Sequence, residues 1–421
     1  MTKSLLHDLF FGLAVFFLIG IFFASVINWL GALLSCLLLI IVFLFLDKKF
    51  LAVICLMATL GVAYYFIFDQ LNKNIELVSG QKIKLESVVS QVKQRFSNQE
   101  LLLENNVKII VARYPEFHYG DQLLIEGFIR KSNSPLIGGV MSYPKIELIV
   151  TKQGNFLKAA LIKTRLAFEN NLKKILPHDK AVFLSGLTMG DVGELSPQFY
   201  AAMKASGTTH LVALSGQNIS IVVFLIFGIL GFFVPKRFVF APTIVLISLF
   251  VIMTGAEASL VRAAIMGFII LLAEKSQRSF SLRNALTAAA LIMVLYNPKV
   301  LVFDLGFQLS FLAMLGIGYL QPFLEKITGW QNKIMKKLVW PSISAQATVL
   351  PLLILKFGYF NPLSIAANIL IAPIIPYTMI LGFIIGAVSF FSYGLAFLLA
   401  FPANILLTYA VLVINIFSFS W

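Results

Sequence analysis

Apolar runs of about 17 to 25 residues recur along the chain, and as a helix each is long enough to cross the ~30 Å hydrocarbon of a bilayer. That pattern leaves few folds open. In lipid every backbone polar group has to be satisfied inside its own segment, so such runs form helices. Only 12% of the 421 residues are charged, against roughly 25% in a soluble domain. The first run, Phe10 to Val26, has no small-residue cleavage site and passes through Ile27-Asn28-Trp29 straight into another span, so it reads as a retained helix and not a signal peptide. The chain is expected to be a polytopic α-helical membrane protein.

Its orientation follows from where the cations fall. Three runs come first, Leu9 to Ile27, Leu30 to Leu46 and Phe50 to Phe68, with Asp47-Lys48-Lys49 between the second and third. Lysines in short loops favour the cytoplasmic side, which puts the N-terminus inside and the stretch after Phe68 outside. The later charged breaks, Lys236-Arg237, Glu274 to Arg283 and Glu325 to Lys337, fall at every second connection between spans over 211–234, 238–254, 256–273, 282–296, 300–320 and 338–355, with two or three more to Trp421. Lys and Arg outnumber Asp and Glu by 33 to 19. This excess suits a polyanionic partner or anionic headgroups, and it is also what cytoplasmic loops ordinarily collect.

Residues 71–153 change character, with more charge and no run long enough to span. Lys82 to Gln91 and Asp121 to Ile129 alternate polar and apolar residues, and Val107 to Ala112 and Lys145 to Thr151 are rich in β-branched ones. Ser97-Asn98 and Tyr119-Gly120-Asp121 supply turns. Four or five short strands here fit a small extracytoplasmic β-barrel domain, OB-like, which can bind nucleic acid through a basic groove and exposed aromatics. Arg95, Phe96, Arg113 and Tyr114, with Phe117 and Tyr119, are the residues for that task, although aromatic residues in strands ordinarily fill the core. Asn155 to Leu176 follows as an amphipathic helix, for the membrane interface or for the barrel. Ala181 to Gly190 is too short to span and reads as a re-entrant or buried half-helix, and Ser196-Pro197 opens a short helix to Ala205. The expected domains are 1–70 (first membrane helices), 71–153 (barrel), 154–208 (amphipathic and re-entrant helices) and 209–421 (main membrane domain).

Polar side chains inside the spans mark the place to look for function, because each costs free energy in lipid unless it faces protein or water. His210, Ser215, Gln217, Asn218 and Arg262 lie toward the outer ends of their spans, as does Asp304, and Gln308, Ser310, Gln346 and Asn368 extend the set inward. Arg262 and Asp304 are natural partners for one another. Interhelical hydrogen bonding, worth about 0.6 kcal/mol per pair, is the ordinary role of any single amide or hydroxyl here. Pro373 and Pro376 break the Ser364 to Tyr377 segment, as broken helices beside cavities are broken. Catalysis fits poorly: His210 and Ser215 stand about 140° apart on a helix, the four histidines form no HExxH, and no metal site or cofactor motif is present.

The ordered series Leu184-Ser185-Gly186-Leu187-Thr188-Met189-Gly190-Asp191, Gly207 to Gly216, Ala258 to Ala263, Asp304 to Phe311 and Ala345-Gln346-Ala347-Thr348, with Pro351 and Asn368, resembles the ComEC/Rec2 family of competence proteins. Tyr119-Gly120-Asp121 with Gly127 is similar to that family's OB-type domain. The resemblance implies a channel carrying one strand of transforming DNA across the cytoplasmic membrane, in contact with lipids, with a separate DNA receptor, nuclease and cytoplasmic motor as partners. It implies no chemistry of its own, because the family's metallo-β-lactamase-like domain has no counterpart before Trp421. Where family members have Gly-Leu-His-Val, this chain has Gly216-Gln217-Asn218-Ile219. A transporter or flippase for another anionic, polymeric or lipid-linked substrate is the alternative.

Overall fold

The computed structural model describes residues 2–26, 30–31, 33–35, 38, 40–41, 49–72, 80–132, 134–212, 216–276, 281–329, 332, 335–358, 361 and 363–418. The expected span over 30–46 and the lysine loop after it lie largely outside them. Two compact units result, one built from residues 1–81, 130–139 and 265–308 and the other from 82–129, 140–264 and 309–421.

In the first unit, α1 (Thr2–Val26) crosses α2 (Lys49–Leu71) at very short range. A Cβ on Gly20 would fall 2.0 Å from the Ala58 carbonyl oxygen, and one on Gly61 would fall 2.2 Å from that of Phe17. Small residues at a crossing let two backbones approach, which is how apolar helices gain packing energy without a hydrophobic driving force between them. α9 (Leu282–Tyr296) joins this pair: the Tyr64 hydroxyl donates to the Leu295 carbonyl at 2.5 Å, Lys299 pairs with Asp69 at 2.8 Å, and the Arg283 guanidinium lies 4.7 Å over the Phe11 ring.

The second unit opens with the barrel. β1 (Lys82–Gln94), β2 (Asn98–Leu103), β3 (Val107–Ala112), β4 (Gln122–Arg130), β5 (Gly139–Ser142) and β6 (Lys145–Val150) run in the order β1-β2-β3-β5-β4-β6, and β1 also pairs with β4. Five strands therefore close on themselves, as in an OB-type barrel, and β6 is added outside. Closure depends on β1, whose first half pairs with β4 and whose second half pairs with β2 after a bulge between Val89 and Gln91; a bulge is how one strand turns between two neighbours. Val89, Leu101, Leu103, Ile109, Leu123, Ile125 and Met141 fill the interior.

α3 (Phe156–Ile175), α4 (His178–Met189) and α5 (Pro197–Ala205) follow. Asn155 and Ser196 cap the first and third of these, accepting from the amides of Lys158 and Phe199. α4 is buried from Ala181 to Met189, the half-helix its length requires. Only the C-terminal part of α3's apolar face is buried (Phe168, Leu172, Ile175), while Leu157 is half exposed.

Among the described residues, four helical stretches are long and apolar enough to cross a membrane: Leu9–Val26, Leu51–Leu71, Leu305–Thr328 and Tyr393–Ser418. A fifth is a bent pair, α14 (Ser364–Ile371) and α15 (Ile375–Ser389), meeting at 53°. The apolar parts of α6 (Gly216–Phe233), α7 (Lys236–Met253), α8 (Ala258–Lys275) and α9 are shorter. An 18-residue helix is about 27 Å long, a little under the hydrocarbon thickness. One expected span is corrected. The run over 300–320 is not continuous, because α10 (Val300–Phe303) ends at Asp304 and α11 (Leu305–Leu315) begins there, the Asp304 Oδ1 accepting from the Phe307 amide at 2.9 Å. A carboxylate capping a helix start outweighs continuation of the preceding turn. A π-helical stretch, Gly316–Leu320, links α11 to α12 (Gln321–Thr328), and α13 (Trp340–Phe357) and α16 (Tyr393–Ser418) complete the helices.

Candidate functional site

At the β1–β2 turn, the Arg95 amide donates to the Asn98 carbonyl and the pairing of Asn98 with Ala112 brings the end of β3 alongside. The register places Arg95, Phe96, Arg113 and Tyr114 at one end of the barrel. The Arg113 guanidinium donates to the Phe96 carbonyl at 3.1 Å, and the rings of Phe96 and Tyr114 are 46% and 69% exposed. Phe117 is buried instead, and Tyr119 receives the Asn155 amide at 3.0 Å with Lys158 over its ring, so both serve the frame.

Behind this tip stands a residue that sequence reasoning missed. Gln99, fully buried in β2, donates to the carbonyls of Ala112, Arg113 and Pro115 and accepts from the Phe117 amide. Its side chain is satisfied at both ends, which fixes the loop carrying Arg113 and Tyr114. Elsewhere on the barrel an open groove of about 590 Å³ is lined by Glu86, Ser87, Glu104, Asn105 and Gln122. Its carboxylates repel phosphate.

The arginines at that end are already answered. Arg95 Nε lies 3.2 Å from Glu100, and Arg113 lies 3.7 Å from Glu194, which also takes Lys173 at 2.6 Å. Glu194 belongs to the loop after α4, and the loop continues the charge network: Arg165 of α3 reaches Glu169 at 2.8 Å and Asp191 at 2.9 Å. Glu169 is 3% exposed. Burial, with Asp191 adding to it, pushes the Glu169 carboxyl up to about 7 against the pull of Arg165. Glu100 goes the other way, held below the ordinary range by Lys108 and Arg95 in spite of its partial burial. The Arg165 and Glu169 spacing of four was a visible helix-pair signal; Asp191 and Glu194, far away in sequence, were not.

In the helical part, the sequence-predicted residues fall into two seams. The first joins α4, α6, α8 and α11: Asn218, buried in α6, donates to the Leu187 carbonyl at 2.9 Å, and Arg262 donates from Nη1 to the Ser310 carbonyl at 2.7 Å while lying 5.7 Å from the Phe311 ring. The second joins the turn after α5 to α13 and α14. Gln346 accepts from the Ser364 hydroxyl at 3.2 Å, Asn361 donates to the Ala205 carbonyl at 2.6 Å, and His210 lies in an exposed 3-10 turn with Nδ1 3.1 Å from the Gly207 carbonyl. Asn361 and Ser364 were missed by sequence reasoning. Asn368 is buried in α14 with its Oδ1 unpartnered, as are the hydroxyls of Ser185 and Ser344.

Asp304 and Gln308 belong to the first unit, where both make the α10–α11 elbow: Gln308 donates to the carbonyls of Leu301 and Val302 at 3.2 and 2.7 Å. Arg262 and Asp304, expected as partners, thus each have one in their own unit. Ser215 lies outside the described residues, as does the side chain of Gln217, whose backbone opens α6. Among the described residues no cluster of His, Cys, Asp or Glu is placed to hold a metal ion.

Comparison with known proteins bears on the same region. A family model described as Competence protein matches residues 187–420, more than half of the chain. ComE operon protein 3 of Bacillus subtilis (strain 168) is 27% identical over 230 residues, which is 54% of this chain and 28% of that protein, so the match reaches little more than a quarter of the relative's length. No solved structure matches.

Proposed function

Because this chain belongs to the Competence protein family, bearing out the ComEC/Rec2 resemblance, we propose that it is a multi-pass membrane conduit through which single-stranded DNA enters the cell during transformation. The observation that carries the proposal is coincidence: the family match runs from Leu187, and both polar seams and the unpartnered buried groups of α13 and α14 fall within it. A strand with one charge per nucleotide needs cationic or hydrogen-bonding groups along its path that bind well enough to admit it and weakly enough to release it. His210, Ser215, Gln217, Asn218, Arg262, Ser310, Gln346 and Asn368 supply that lining in this proposal, and Asp304 and Gln308 hold the α10–α11 elbow. The barrel end with Arg95, Phe96, Arg113 and Tyr114 receives the strand outside, two aromatic faces stacking on bases that any sequence offers. In the proposed topology Lys48-Lys49, Lys236-Arg237 and Lys336-Lys337 are cytoplasmic and the barrel is extracytoplasmic.

Uptake of labelled DNA by a deletion strain complemented with this chain tests the proposal. Restored uptake supports it; absent uptake at normal membrane abundance, with every other component of the uptake system present, counts against it and favours a transporter of another anionic polymer. Thiol labelling from outside at Ser97→Cys tests the topology, and labelling only after lysis reverses it.

A further inference from the structure

Glu194 stands between two cations that come from different elements. Its Oε2 lies 2.6 Å from the Lys173 Nζ in the last turn of α3, and its Oε1 lies 3.7 Å from the Arg113 Nη2 at the barrel end. The grip is uneven. Lys173 is at hydrogen-bond distance and Arg113 is beyond it, while the Arg113 Nη1 donates to the Phe96 carbonyl. A guanidinium offers five donors in a fork that matches two oxygens at once, so the Arg113–Glu194 pair falls short of what Arg113 can make. Two positive charges also face one negative charge. The side chains of Arg113, Lys173 and Glu194 are 36%, 25% and 17% exposed, open enough for a ligand to reach them. Ion pairs exposed to this degree contribute little net, because water and salt screen them, so another anion can replace the carboxylate at small cost.

The loop keeps its place without the ion pairs. The Glu194 carbonyl lies 3.0 Å from the His178 Nε2, and Leu195 beside it is buried. The carboxylate can therefore swing away while the backbone stays. A phosphodiester has two unesterified oxygens, suited to a fork on one side and a point charge on the other. Phe96, whose carbonyl Arg113 holds, and Tyr114, the next residue, present exposed rings on which bases stack. A phosphate with bases on either side fits this setting better than a lipid headgroup, which has no ring to stack.

We propose that Arg113 and Lys173 form a binding site for one phosphodiester of a single strand, which Glu194 occupies until the strand displaces it. The site rests on the reading of the barrel end as the surface that receives the strand, and it adds Lys173, a residue outside the barrel, to that surface. Strand binding and the Lys173–Glu194 contact then exclude one another.

The test uses the full chain in nanodiscs of neutral lipid, with 5′-hydroxyl oligothymidylate as the probe. A water-soluble carbodiimide joins an amine to a carboxylate where the two touch, and peptide mapping reads the Lys173–Glu194 crosslink. Saturating strand should remove that crosslink and spare the one between Lys82 and Glu126, a barrel pair also at 2.6 Å. This measurement needs no variant. Glu194→Gln should bind the strand about 2- to 30-fold more tightly at low salt, the worth of the two partly exposed ion pairs that the parent has to break, and the gain should shrink as salt rises. An unchanged crosslink at saturating strand overturns the proposal. So does a lost crosslink with equal affinity in parent and Glu194→Gln, since the strand then only covers the pair. Phe96→Ala and Tyr114→Ala judge the barrel end separately: weaker binding in both, with the crosslink unchanged, sinks the displacement and leaves the receiving surface standing. No binding by either parent or Glu194→Gln sinks both. Protection of the crosslink by anionic nanodiscs, and not by the strand, assigns the two cations to a phospholipid headgroup and overturns the strand site.

Discussion

Two arginines of the second unit sit in opposite electrical surroundings. Arg165, at the junction of barrel and helices, is bracketed by Glu169 and Asp191 at 2.8 and 2.9 Å. Arg262, in the helical seam, is more deeply buried, and among the described residues its hydrogen bond goes to the Ser310 carbonyl. The first is a structural clamp answered by two carboxylates, and the second has no counter-charge among the described residues. A protein that keeps an unbalanced buried cation bears a desolvation cost that packing alone does not require, so a role in binding is the place to look for its compensation.

The largest effect that distinguishes them is on stability. Arg165→Met strands two carboxylates, one of them fully enclosed, and should cost about 3 to 5 kcal/mol. Arg262→Met strands nothing charged and should cost no more than the ~1 kcal/mol of one hydrogen bond. Thermal unfolding of the purified variants in one detergent measures both, and equal losses would break the comparison.

The clamp should also respond to pH. A carboxyl raised in the folded state from 4.5 to about 7 holds its proton more tightly folded than unfolded. Its contribution to stability is therefore full below pH ~4.5, declines as pH rises, and is gone above ~7, a fall on the order of 3 kcal/mol. Glu169→Gln should flatten unfolding temperature against pH across that window, whereas Arg262→Gln should leave the profile of the parent.

A smaller effect concerns how the clamp loop meets the barrel. A Cβ on Gly193 would fall 1.6 Å from the Gln94 carbonyl oxygen at the end of β1, and both partners are backbone, so neither gives way easily. Gly193→Ala should cost about 1 to 3 kcal/mol and speed proteolysis between β6 and α3. At Gly216 the neighbour is the tip of a side chain, so Gly216→Ala should leave proteolysis unchanged. The smallest effect is at the barrel end, where Phe96→Ala or Tyr114→Ala should weaken binding of oligothymidylate by about 1 kcal/mol, read by fluorescence anisotropy. No change in both variants would move strand binding off the barrel.

Much of the frame was legible beforehand, for local reasons. β3 coincides with the run over 107–112, and β1, β4 and β6 lie within two or three residues of their alternating or β-branched segments. The caps Asn155 and Ser196 stood where their residue types predict. β2 and β5 were not legible: NQELLL alternates imperfectly and GVMS is four residues long, so pairing with neighbours, and not propensity, makes them strands. The break at Asp304 was hidden because the flanking sequence is apolar on both sides and only the Phe307 amide reveals the carboxylate as a cap. The polar residues of the site could be named from their cost in lipid, but not their partners. Asn218 finds a carbonyl 31 residues away and Arg262 one 48 residues away, and such distances are set by helix packing.

The most direct test of the conduit is to catch the strand inside it. Cells expressing this chain take up DNA carrying a photoreactive thymidine analogue and a bulky 5′ block that stalls passage, and crosslinked peptides are mapped after irradiation. The account predicts crosslinks at the barrel end near Phe96 and Tyr114 and also in the helical seams around 207–218, 258–262 and 346–368. Crosslinks confined to the barrel, with none in the helices at equal uptake, would contradict it.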